Sequence, residues 1–144
     1  MDNNVFNLAG NDARLFEFIE RDPSTNIQLR IKRAVNWVGR ALRSPEIAEG
    51  FLWLAIALET LLIAQDGFIS RSITAQLAEF AAFLTASDVE TRKQVNKSVK
   101  ELYQTRSAIV HSSATKIQGE DFDRLLVIVR RTLQAGEKKN EKLD

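Results

Sequence analysis

Apolar residues along this chain recur at intervals of three and four, so each periodic stretch carries one hydrophobic stripe and one polar face. That is the pattern of amphipathic helices. Residues 11–21 read as a short leading helix with Leu15, Phe18 and Ile19 on its stripe. Asp22-Pro23 gives a cap followed by a first-turn proline, a helix start signal, and the helix after it runs to about Arg43 with Ile27, Ile31, Ala34, Val35, Val38 and Leu42 on one face. Ser44-Pro45-Glu46 restarts the chain. From Glu46 to about Gln65 the residues are apolar nearly all round: Ile47, Phe51, Leu54, Leu58 and Leu61 form one stripe, Leu52, Ile56, Glu59 and Ile63 another. A helix with two apolar faces belongs at the centre of a bundle. Asp66-Gly67 ends it, and Ser70 begins the next, with Ile73, Leu77, Phe80, Ala81 and Leu84 predicted inward. Ser87 or Asp88 caps a long helix reaching roughly His111, whose stripe is Val95, Val99, Leu102, Arg106 and Ile109. After a polar turn, Glu120-Asp121 opens a last helix with Phe122, Leu125, Leu126, Val129 and Leu133 inward.

No stretch shows a convincing strand alternation, and no repeat or linker interrupts the pattern. The predicted fold is therefore all-α, a compact bundle of four to six helices. Residues 1–24 form an N-terminal segment with the short leading helix, residues 25–136 the helical domain, and residues 137–144 a charged tail expected to be disordered. A chain of 144 residues is long enough to bury one core without staples. It contains no cysteine, which removes disulfide frameworks and thiolate metal sites. Residues 1–11 are polar and lack the basic region of a signal peptide. The most apolar run, residues 51–64, holds Glu59 and is too short to span a bilayer. A cytoplasmic setting with no membrane partner is expected.

The formal net charge of +1 names no partner. Its distribution is more informative: between Thr25 and Ser44 stand Arg30, Lys32, Arg33, Arg40 and Arg43 with no acidic residue, a local cation surplus that can attract phosphate. Arg30, Arg33, Trp37 and Arg40 share a helix face. Cations interleaved with an aromatic suit single-stranded RNA, through phosphate contacts and base stacking. The same spacing also fits a solvated face with Trp37 packed at its edge.

Two charges break the apolar pattern. Arg106 stands where its stripe calls for leucine or isoleucine, so it must be paired or face an opening. Glu59 is a carboxylate on a stripe of the central helix. The economical arrangement lets the two meet, with bidentate geometry open to them. Such a pair fits a purely structural role, fixing helix register, as well as a place in a site. If it is buried, Glu59→Ala strands an arginine. His111, the only histidine, follows Arg106 by five positions. An imidazole and a guanidinium are the groups most useful for cleaving a phosphodiester without a metal. On one continuous helix five positions rotate by about 140°. Arg106 and His111 therefore converge on one phosphate only if the helix ends or bends near Val110, or if a second copy of the chain supplies partner groups. Ser112-Ser113 favours an ending, and the geometry argues for a composite site at a two-fold interface. One histidine, no cysteine and no tight carboxylate cluster leave too few metal ligands. No glycine-rich phosphate loop and no G-x-S-x-G elbow are present. Neither metal nor cofactor is expected.

The segment Leu102-Tyr103-Gln104-Thr105-Arg106-Ser107-Ala108-Ile109-Val110-His111 resembles the hallmark of HEPN domains. It is most similar to the Apea-like branch, where a tyrosine precedes an arginine, a short polar residue follows it, and four residues separate arginine from histidine. Residues 51–62, with Glu59 inside Ala57-Leu58-Glu59-Thr60-Leu61-Leu62, resemble another helix of that branch, and the similarity spans roughly residues 30–133. The resemblance implies a dimeric helical bundle that cleaves RNA without a metal. His111 would move the proton at the ribose 2′-hydroxyl or the leaving oxygen, and Arg106 would bind the scissile phosphate. Ser107 would assist, and Glu59 would orient Arg106. The products would be a 2′,3′-cyclic phosphate and a 5′-hydroxyl. The implied setting is stress response, toxin–antitoxin or antiphage defence, with an antitoxin or other regulatory protein as partner. Strongly active members often carry asparagine, aspartate or histidine where this chain has Ser107, and glycine often stands where it has Ser112. Other HEPN domains only bind RNA, nucleotide or protein, which is the alternative function.

Overall fold

The computed structural model describes residues 26–63, 72–112 and 116–143. Among them it contains five helices and no strand: α1 (Asn26–Arg43), α2 (Ile47–Leu62), α3 (Ile73–Thr85), α4 (Val89–Ser112) and α5 (Gly119–Leu143). The expected all-α bundle is the fold observed. The leading helix over residues 11–21, the Asp22-Pro23 start and the Asp66-Gly67 stop lie outside the described residues.

Local chemistry fixes the helix ends. Asp88 caps α4, its carboxylate accepting the Thr91 N–H at 2.8 Å and the Thr91 hydroxyl at 2.7 Å. Those two bonds hold the Asp88 carboxyl below its usual range. Ser72 caps α3 by accepting the Ala75 N–H at 3.2 Å, so this helix starts beyond the Ser70 expected. α2 stops at Leu62, ahead of Gln65, because Ile63 turns extended while its N–H still bonds the Glu59 carbonyl at 2.9 Å. The largest departure is α5. It continues through the charged segment expected to be disordered and ends at Leu143. Glu and Lys are good helix formers, and Gly136 does not break the run because it packs against α1, where a Cβ would stand 3.5 Å from Ile31 Cδ1.

Two helical hairpins and one long closing helix make the bundle. α1 packs chiefly on α2, α3 chiefly on α4, and α5 lies across α1, α2 and α3. α2 touches every other helix, as its two apolar stripes require. Phe51, Leu54 and Leu58 of α2 are fully buried together with Ile31, Leu77, Val99, Leu102, Leu125, Leu126 and Val129. Gly50 lets the α1–α2 hairpin close tightly: a Cβ there would sit 3.0 Å from the Ala41 carbonyl oxygen and 2.9 Å from the Phe122 ring. This approach turns Ala41 inward and leaves Leu42, expected in the core, exposed. α3 makes the same trade. Its buried face is Leu77, Ala78, Ala81 and Ala82, while Ile73 and Phe80, expected inward, are exposed with Phe83. Alanines bring α3 close to α4, and the bulky residues turn outward.

Candidate active site

α2 and α4 meet along a polar seam inside an otherwise apolar core. Tyr103 of α4 is buried and donates its hydroxyl to the Ala55 carbonyl of α2 at 3.2 Å. One turn further on, Arg106 Nη2 lies 3.5 Å from Glu59 Oε1. The Tyr103 phenol also lies close enough to the Glu59 carboxylate for each to shift the other's titration. The Arg106 guanidinium carbon stands 5.7 Å from the centre of the Tyr103 ring. Burial, reinforced by the Glu59 charge, pushes the Tyr103 phenol far above its ordinary range. Tyr103 therefore works as a neutral donor beneath the ion pair.

The two out-of-pattern charges do find each other, but at the rim of the core. The Arg106 side chain is 34% exposed and that of Glu59 is 23% exposed. Arg106 Nε is buried and has no hydrogen-bond partner. The buried Nε is closed to solvent, while the part of the guanidinium that reaches solvent can receive an anionic oxygen. Because the pair is half-open, losing Glu59 does not strand a fully buried charge. Glu59→Ala is expected to cost about 1 kcal/mol, not the 3–5 kcal/mol of a buried pair.

Burial raises the Glu59 carboxyl above its usual value of 4.5, against the opposing pull of Arg106 and of the Tyr103 phenol. A raised folded value means that the folded state binds this proton more tightly than the unfolded chain does. The stability it contributes is complete below 4.5 and is lost as pH rises through the folded value. Urea midpoints taken from about pH 4 to pH 7 should therefore fall for the wild type relative to Glu59→Gln. A constant difference across that range would mean the carboxyl is no more buried than in the unfolded chain.

His111 and Ser107 are exposed, and α4 remains helical through Ser112. The helix ends at Ser112, as its serines suggested, but only after His111, so Arg106 and His111 keep helical spacing and the short route to a single-chain site is closed. Arg106 and His111 stand about 140° apart, whereas Ser107 and His111 are only about 40° apart. The structure groups Glu59, Tyr103 and Arg106 on one side of α4, and Ser107 and His111 on another. Val110, which is exposed, stands about 40° from Arg106 and about 100° from His111, on the arc between them.

On α1, Arg33 and Arg40 are exposed, and Arg30 and Trp37 are half-buried. Trp37 stacks on Trp53 of α2 with ring centres 5.2 Å apart and 14° between planes. The Arg40 guanidinium lies 4.9 Å from the Trp37 ring and 5.7 Å from that of Trp53. Much of the aromatic surface foreseen for bases is thus engaged within the fold. Trp53 was not among the residues singled out, yet a signal existed: Trp37 and Trp53 stand equally far in sequence from Pro45, so a tight hairpin there brings them together. Among the described residues no group of three or more His, Asp or Glu could hold a metal, and no helix is long and apolar enough to cross a membrane. Compared with known proteins, the chain matches no family model, no curated protein and no solved structure.

Proposed function

We propose that this protein is a metal-independent endoribonuclease of HEPN type that acts as a homodimer. The observation that carries the reading is the Arg106 guanidinium, held by Glu59 over Tyr103 and partly open to solvent, on the same helix as the exposed His111. In this reading Arg106 of one copy and His111 of the other act on one phosphate. His111 takes the proton of the ribose 2′-hydroxyl and the 2′-oxygen attacks phosphorus. The bond to the 5′-oxygen breaks, and that oxygen leaves with a proton from solvent. Arg106 neutralises the charge that builds on the phosphate oxygens. A two-fold contact over Val110 would place each copy across the arc between the two groups. Ser107, on the His111 side of that arc, assists by hydrogen bonding. The toxin–antitoxin or antiphage role, a regulatory protein partner and the cytoplasmic setting rest on the HEPN resemblance.

The test is cleavage of mixed RNA in EDTA, first by the wild type and then by mixed variants. Arg106→Ala and His111→Ala should each be inactive, and refolding them together should restore about a quarter of the activity, since half the dimers are mixed and each has one intact site. No rescue by a mixture of active-site variants would remove the shared site. The separation of Arg106 from His111 within one chain favours a second reading, a module that binds RNA without cutting it. A folded, dimeric wild type that leaves all RNA intact would select it.

A further inference from the structure

His111 does not stand alone on the outside of α4. Lys93, Lys97, Lys100, Gln104, Ser107 and His111 recur at intervals of three and four and share one azimuth. All are exposed. The row runs about five turns, roughly 27 Å, with its cations toward the helix start and the imidazole at the far end. The cationic half edges a groove of about 600 Å³ between α3 and α4, floored by Ala82, Phe83 and Val89. Phe83 is 60% exposed, and the Arg92 guanidinium lies 5.0 Å and the Lys139 ammonium 5.8 Å from its ring. The carboxylates nearby offset only part of this charge, since Arg92, Lys93, Lys97 and Lys100 line the groove with Glu79 and Glu101. Glu101 is held by Arg124 at 3.1 Å and by Lys97 at 3.9 Å. Glu79 lines the groove against Arg92, Lys93, Lys97 and Lys100, and Glu90 stands exposed on the first turn of α4. Lys93 and Lys100 form no ion pair among the described residues.

We propose that this lysine row and groove bind single-stranded RNA, the phosphates following Lys93, Lys97 and Lys100, a base stacking on Phe83, and the strand continuing along α4 to His111. The proposal rests on the ribonuclease reading for its direction but not for binding itself. A line of ammonium groups beside an exposed aromatic fits a strand whose bases are free to stack; a duplex keeps its bases stacked on one another. The basic face of α1 has its tryptophan already stacked on Trp53, whereas Phe83 is exposed and has only the mobile side chains of Arg92 and Lys139 over its ring, which a base can displace.

The probe is a short fluorescein-labelled oligouridine with 2′-O-methyl riboses, which cannot be cut through the 2′-oxygen, beside the duplex of the same length. Anisotropy titrations run from about 50 to 200 mM salt. Reversing Lys93, Lys97 and Lys100 to Glu should weaken single-strand binding at least about tenfold at the low end, and lower the slope of log affinity against log salt by about 2. The milder triple change to Gln should move both in the same direction. Phe83→Ala should weaken the single strand about tenfold with the salt slope unchanged, and the duplex should bind less tightly than the single strand. Variants that are helical by circular dichroism yet keep wild-type affinity and slope would overturn the proposal. So would a wild type that binds polyglutamate but not oligouridine, which would make the face a dock for an acidic protein. Cleavage of unmodified RNA, followed separately, keeps the two ideas apart. Binding through the row without cleavage retains this inference and removes the ribonuclease. Cleavage and binding untouched by row variants do the reverse.

Discussion

Replacing His111 with alanine should slow metal-free RNA cleavage by about 10²–10⁴ and leave the melting temperature unchanged. The two halves of this expectation have different origins. A positioned imidazole that takes the 2′-hydroxyl proton contributes to the transition state alone, so its loss appears in the single-turnover rate. The side chain is exposed near the end of α4, where substitutions usually shift stability by no more than about 0.5 kcal/mol. Arg106→Ala makes a useful contrast. It should also stop cleavage, but it removes the partner of Glu59 and a cation over Tyr103, so its melt should move as well. Single-turnover cleavage in EDTA beside thermal melts separates the cases. A His111 variant that cleaves like the wild type ends the catalytic role. One that melts as early as a core variant would give the histidine a structural role instead.

The pairing of Arg106 with Glu59 was legible in the sequence because two charges on apolar stripes have few ways to avoid an isolated burial. Their degree of exposure was not, since it depends on how far α4 lies from the centre of the bundle. The central place of α2 was legible from its two apolar stripes. The face of α3 was misread for a physical reason. Hydrophobic weight favours Phe80 and Ile73 over alanine, yet close helix packing selects small residues for the buried face, here Ala78, Ala81 and Ala82. The helical tail was misread because a charged composition resembles disorder, although glutamate and lysine extend a helix already anchored at Gly136 on Ile31. The lysine row of α4 escaped notice because polar residues at helical spacing read as an ordinary solvated face. Only the groove beside it and the exposed Phe83 set it apart.

Phe51→Ala should cost about 3–5 kcal/mol of folding free energy, read as a fall in the urea midpoint with the slope preserved. Phe51 is fully buried on α2, which touches every other helix. The loss combines the transfer of a large ring out of water with the cavity left behind, and the second part depends on how well the neighbours can close the hole. They are poorly placed to do so. At the adjoining Gly50 a Cβ would already stand 3.0 Å from the Ala41 carbonyl oxygen and 2.9 Å from the Phe122 ring, so α2 has little room to move further toward α1 or α5. The cost should therefore fall in the upper part of the range, a large share of the roughly 5–15 kcal/mol that holds a domain of this size together. It should also reach the site. Ala55 and Glu59 follow Phe51 at one and two turns along α2, so a shift of that helix loosens both the Tyr103 hydrogen bond and the Arg106 ion pair. Cleavage by the Phe51 variant should consequently decline with rising temperature before the bundle as a whole unfolds. A midpoint within about 1 kcal/mol of wild type would show that the bundle can collapse around the missing ring, and that α2 is held less firmly than its contacts imply.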